Sequence, residues 1–198
     1  MALKFHYNKT TIQQFRRQLA IREKALPILK NKETALRKEE KEMRKVLDSL
    51  VAEKSTIQQQ LKAFQAFWEE FPNILSLEDP GVYYKKIVGV KVPEIREVSF
   101  RLADVSWWNY PAWVPSGMEV LQRFIALDIR IKIKTLQVDT LNSARKKTTQ
   151  KVNLYEKVQI PAYEEAILKI KRFLEDRENI SKAAQKIVKK RKERGLAA

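Results

Sequence analysis

The chain has 198 residues, carries 40 Lys plus Arg against 24 Asp plus Glu for a formal charge of +16, and contains no cysteine. Disulfides and thiolate metal sites are therefore excluded, and no uncharged stretch approaches the roughly 18–20 apolar residues that span a bilayer. With 4 Gly and 7 Pro the composition suits long helices better than a loop-rich α/β domain. The start, Met1 to Lys9, lacks the apolar core of a signal peptide, so the expectation is a soluble, cytoplasmic protein.

The first predicted element runs from about Thr10 to Phe71. Steps of three and four residues give Ile12, Phe15, Leu19, Arg22, Leu26, Leu29, Glu33, Leu36, Glu40, Met43, Leu47, Leu50, Lys54, Ile57, Leu61, Phe64, Trp68 and Phe71. Fourteen of these eighteen positions are apolar, and a seam this long at a 3.5-residue mean spacing is the signature of a coiled coil. Thr11 with Gln14 offers a capping box, Pro72 stops the helix, and Pro27 should kink or locally break its first third. About 60 residues at 1.5 Å rise amount to roughly 90 Å of helix.

Five of the seven prolines and three of the four glycines fall between 72 and 117, which marks an irregular insert. Val82 to Val92 is rich in β-branched and aromatic residues, and Val98, Phe100 and Leu102 alternate with Ser99, Arg101 and Ala103. The pattern predicts two short strands forming a hairpin, with Pro93 at an edge or turn. Trp107, Trp108 and Trp113 follow, and two roles stay open for them: a cap over the end of the coil, or an exposed docking patch.

The last element opens at Pro115, with Ser116 and Glu119 at capping-box spacing. Its seam runs through Phe124, Leu127, Ile131, Lys134, Val138, Leu141, Arg145, Thr148, Val152 and Tyr155. Past Pro161 the stripe drifts to Tyr163, Ile167, Ile170 and Leu174, which predicts a register shift beside the proline. Arg145 and Thr148 either face a third protein or specify register. The expected fold is mainly α, a long antiparallel two-helix coiled coil of the N- and C-terminal helices with a small β-hairpin insert. Its three segments are 1–71, 72–117 and 118–198.

No Gly-rich phosphate loop, nucleophile elbow or His/carboxylate cluster of ligand spacing occurs, and His6 reads as a surface residue. Glu69-Glu70 and Glu164-Glu165 are adjacent pairs that point to different helix faces, so they form no acid/base couple. The chain is not expected to be an enzyme, and no catalytic, cofactor-binding or metal residue is assigned. The positive balance admits a basic coiled-coil scaffold that binds nucleic acid or a membrane surface. Interleaved runs such as Arg37 to Glu42 favour solvated helix faces instead. Only the tail, with Lys186, Lys189, Lys190 and Arg191, is one-sided.

Three stretches together resemble the D subunit of the V-type and A-type rotary ATPases. They are Asn8-Lys9-Thr10 with Leu26-Pro27-Ile28-Leu29-Lys30-Asn31-Lys32 and Leu36; Ile87-Val88-Gly89-Val90-Lys91-Val92-Pro93-Glu94-Ile95; and Lys151-Val152-Asn153-Leu154-Tyr155-Glu156 with Ile160-Pro161, Ile170 and Leu174-Glu175-Asp176-Arg177-Glu178. The third is the most specific, and the order covers essentially the whole chain. The resemblance implies the central rotor shaft of an ATP-driven or ATP-synthesising ion pump, peripheral to a membrane complex. Implied partners are the catalytic hexamer of A and B subunits, a small F subunit and a funnel-shaped subunit leading to the membrane rotor. Neither nucleic acid, direct membrane contact, a cofactor nor a homo-oligomer is implied. Gly89, Val90, Val92 and Pro93 of the hairpin, and Lys186, Lys189, Lys190 and Arg191 of the tail, become the expected partner contacts.

Overall fold

A computed structural model describes residues 5–63, 70–104 and 106–195, without the side chains of 63, 107 and 193–195. Helix α1 spans Lys9–Ala63. The Asn8 side-chain oxygen accepts the Thr11 N–H at 2.7 Å, so Asn8 is the N-cap and quenches one of the orphan donors of the first turn. The capping box expected at Thr11 and Gln14 is thereby corrected: Thr11 is buried inside that turn. Helix α1 also passes unbroken through Pro27. Pro27 is exposed, so the carbonyl that loses its N–H partner lies on the solvent side, where water can satisfy it. Of the expected seam, Phe64 and Trp68 lie outside the described residues, and Phe71 is not helical.

Four short strands follow: β1 (Leu75–Leu77), β2 (Val82–Ile87), β3 (Val90–Ile95) and β4 (Phe100–Leu102). They form two antiparallel pairs, β1 with β4 and β2 with β3. Val82 to Val92 is therefore not one strand. It folds on itself at Val88-Gly89, with Ile87 opposite Val90, and the Phe100–Leu102 strand pairs with β1 instead. Both turn residues have positive φ, 49° at Val88 and 76° at Gly89, as a tight two-residue hairpin requires. A 3₁₀ turn over Trp107–Asn109 leads to helix α2, Val114–Leu154. The Gly117 N–H donates to the Trp113 carbonyl, so the helix starts ahead of the Ser116–Glu119 box. Pro115 occupies its first turn, where a missing N–H costs nothing.

A π-helical segment, Tyr155–Gln159, joins α2 to helix α3, Ile160–Gly195. The Ile160 N–H bonds the Tyr155 carbonyl, five residues back. Pro161 has no N–H to continue the α-helical ladder, and the wider turn inserts one residue. A regular continuation of the seam from Tyr155 would reach 159, 162, 166 and 169. The stripe lies one residue later at Tyr163, Ile167 and Ile170, so the π segment is the physical form of the predicted register shift.

The chain divides into two compact units, residues 1–31 with 148–198, and residues 32–147. In the first, Ile12, Ile167 and Ile170 form the core, with Phe5, Phe15, Leu19 and Leu174 packed around it. Arg22 donates to Gln159 and Lys30 pairs with Glu156 at 2.6 Å, so the two helical segments run antiparallel. In the second, Leu36, Val92 and Leu141 are buried together. The pairs Glu40–Arg145, Glu53–Arg123 and Lys54–Asp128 again run in opposite directions. Every described seam position from Ile12 to Leu61, and from Phe124 to Tyr155, is buried or half-buried. Arg145 turns inward, its Nε 2.6 Å from a Glu40 carboxylate that is 9% exposed.

Candidate functional site

The β2–β3 hairpin packs into the helical core of the second unit. Alternate residues of a strand face opposite sides, so Ile87, Val90 and Val92 share one face. Val92 has no exposed surface and joins Leu36 and Leu141; Ile87, Val88 and Val90 pack around them. Polar contacts complete the anchor. Gln137, also without exposed surface, donates its amide N–H to the Pro93 carbonyl and accepts from Lys134 at 3.0 Å. Lys134 reaches Glu94 at 3.2 Å as well. Each polar group of the buried amide thus has a partner, which a buried side chain of this kind needs.

Pro93 stands opposite Tyr84. Ile87 and Val90 close the two-residue turn as a hydrogen-bonded pair, so bonded and non-bonded pairs alternate from there and Pro93 falls on a non-bonded one. Its missing N–H therefore removes no rung from the ladder, which fulfils the edge placement expected for it.

Of the expected hairpin contacts, Gly89 is exposed at the tip, Pro93 and Val90 are half-buried, and Val92 is enclosed. Val92 anchors the hairpin to α1 and α2 and offers no surface of its own. The outward face instead presents Tyr84, 70% exposed, and Val82, flanked by exposed Lys86 and Lys91. Sequence reasoning missed these because it read Val82 to Val92 as one strand. The signal that finds them is the two-residue alternation on either side of Val88-Gly89.

Lys186, Lys189, Lys190 and Arg191 lie on α3, where every residue from 175 to 192 is exposed. Ile180, Ile187 and Val188 are exposed with them. The structure does not bring this end of α3 into the same unit as the hairpin. The tryptophans divide their roles: Trp113 is half-buried with its ring 6.1 Å from that of Phe71, whereas Trp108 is 97% exposed.

Among the described residues no cluster of three or more His, Cys, Asp or Glu side chains could hold a metal ion. None of the described helices is long and apolar enough to cross a membrane. What the hairpin face and the α3 end can do chemically is bind: one offers aromatic and aliphatic surface rimmed by ammonium groups, the other a row of cations.

The family model for the ATP synthase D subunit matches residues 11–190. The chain is similar to the V-type ATP synthase D subunit of Borreliella burgdorferi, with 32% identity over 143 residues covering 69% of this chain and 71% of the relative. It is also similar to the V-type ATP synthase D subunit of Chlamydia pneumoniae, with 25% identity over 98% of both chains. The corresponding V-type ATP synthase D subunit of Chlamydia caviae is 26% identical over 70% of this chain and 69% of its own length.

Proposed function

From the premise that this chain belongs to the ATP synthase D-subunit family and is a component of a V-type ATPase complex, we propose that it is the central-stalk rotor. In this reading it carries torque between a catalytic hexamer and the membrane ion-translocating rotor and performs no catalysis itself. The observation that carries the proposal is the antiparallel pairing of N- and C-terminal helices in both compact units, with the apolar seam buried in each.

Torque transmission asks that paired helices neither slide nor separate. Sliding within the second unit pulls Glu40 away from Arg145 and leaves it with Arg44 of its own helix alone. It also uncovers seam residues such as Leu36 and Leu141, each worth roughly 1.5–3 kcal/mol of burial. The hairpin locks α1 and α2 together at the same level through Val92 and Gln137. The exposed end of α3, with its cations, enters the hexamer, where it slides along acidic or polar loops. The hairpin face and the rest of the shaft meet the small F subunit and the funnel-shaped subunit.

Rotation itself is the test. Because the chain has no cysteine, Glu97→Cys supplies its single thiol at an exposed position outside the hairpin face. A bead attached there, in a complex immobilised through the hexamer, should turn in one direction when ATP is added. A bead that stays fixed during sustained ATP turnover would overturn the rotor reading.

A further inference from the structure

The first unit leaves an apolar groove uncovered beside its own seam. Ala25, Ile28 and Leu29 of α1 line one wall; Lys151, Leu154, Tyr155 and Gln159 line the other, enclosing about 470 Å³. Leu29 and Tyr155 form the half-buried floor. Its lips are exposed and apolar, Ile28 69% and Leu154 41% exposed, and helical spacing continues the two rows to Ile21, 60% exposed, and Val158, 39% exposed. Ile21, Ala25 and Ile28 recur at helical spacing, so they make one stripe along α1. Lone exposed aliphatics need no explanation, but two facing rows along one groove are an unpartnered helix surface.

The π segment shapes this groove. Its extra residue widens the turn that carries Tyr155 and Val158, and such bulges are frequent where a helix has a binding task. It also holds the Arg22 side chain on the Gln159 amide oxygen and near the Tyr155 and Tyr163 rings, 5.8 and 4.7 Å from their centroids. That fixes the inner edge.

Charge identifies the occupant. Arg17 and Lys24 flank the Ile21–Ile28 stripe on α1, and Lys151 stands on the opposite wall; all three are exposed. The nearby carboxylates do not neutralise them. Glu156 pairs with Lys30, and Glu23 lies seven residues from Lys30, on that same far flank of the helix. We infer that this groove seats a third helix from a partner protein of the complex, amphipathic, with aliphatic residues along one stripe and Asp or Glu on both flanks, completing a local three-helix bundle. Helix-in-groove recognition of this kind reads anchors at i, i+3/i+4 and i+7 spacing, the spacing of the exposed row. The inference rests on the first unit alone and does not require rotation.

The full chain co-purified with its complex provides the test. Ile28→Cys, again the only thiol of the chain, is labelled with a benzophenone maleimide, the complex is irradiated, and the cross-linked peptide is sequenced. The expected product joins residue 28 to one acidic, heptad-patterned segment of another protein in the complex. An adduct to a basic or non-helical segment, or to a second copy of this chain, overturns the proposal. In parallel, the double charge reversal Lys24→Glu with Lys151→Glu should cut retention of that partner by at least about tenfold, whereas Arg16→Glu on the other flank leaves it unchanged. Equal retention in the reversed and native chains also overturns it. Since all of these side chains are exposed, an unchanged circular dichroism melt keeps folding out of the result, and bead rotation is scored separately.

Discussion

Val88 holds a φ of 49°, a left-handed conformation that costs a β-branched residue on the order of 1–2 kcal/mol. It stays there because its side chain packs against the buried trio of Leu36, Val92 and Leu141. The two effects have opposite signs and similar size. Val88→Gly relieves the backbone and loses the packing, so its urea stability should lie within about 1 kcal/mol of the native chain. Val92→Ala has no backbone relief to offset its cavity and should cost about 2 kcal/mol. Similar losses for both would mean that the turn is unstrained. Asp128 provides the pH-dependent counterpart. A hydrogen bond from Lys132, then one from Lys54, holds its carboxyl below the ordinary 3.8. The folded form thus prefers the carboxylate, so this stabilisation is present above the ordinary aspartate range and fades as pH falls through the depressed value. The carboxyl is partly open to solvent, which keeps the effect small. Asp128→Asn should be less stable than the native chain at pH 7, and the gap should shrink by pH 3. A gap that widens on acidification would contradict the assignment.

Among the elements, the π segment makes the sharpest forecast. One residue is inserted between the seam ending at Tyr155 and the seam resuming at Tyr163. Deleting exposed Lys157 removes that insertion and joins the two stripes into a regular heptad run. Deleting exposed Glu164, by contrast, rotates Ile167 and Ile170 about 100° off the seam. Thermal melts followed by circular dichroism should show the first variant near the native midpoint and the second well below it. If both melt alike, the insertion is no register device. This element also shows what the sequence could and could not disclose. The seam was legible from Ile12 onward because dozens of residues repeat one spacing, and the drift to Tyr163 was legible for the same reason. The hairpin register was not. Val88 is a poor turn residue by propensity, and it turns only because Leu36 and Leu141 hold it from helices distant in sequence. Strand β1 is just Leu-Ser-Leu, too short to carry a pattern, and exists by pairing with Phe100–Leu102. Asn8 capped α1 where Thr11 looked equally apt, since both residue types cap well and only the bond distinguishes them. Gln137 gave no sign in the sequence of its role under the hairpin, because its partner is a backbone carbonyl.

At the scale of the whole molecule, the two ends of the functional reading differ in how they hold their surfaces. The hairpin is bolted to buried residues, whereas α3 is exposed throughout 175–192. Truncation after Lys182 removes six basic residues against one acid, and residues 183–192 are all exposed, so the fold should melt unchanged. Its consequence belongs to the assembled complex. If these cations steer the shaft inside the hexamer, removing them lowers the number of ions moved per ATP hydrolysed, while hydrolysis itself continues. Salt offers an independent check, because exposed charges are screened beyond about 8 Å at physiological ionic strength and more strongly above it. Raising salt should therefore lower coupling in the full-length complex toward the truncated value and leave the truncated complex almost unaffected. Reconstituted vesicles, assayed in parallel for ATP turnover and ion uptake, read both quantities. Equal coupling ratios for the full and truncated chains at low salt would remove the cations from the mechanism, leaving the buried seam as the sole carrier of torque.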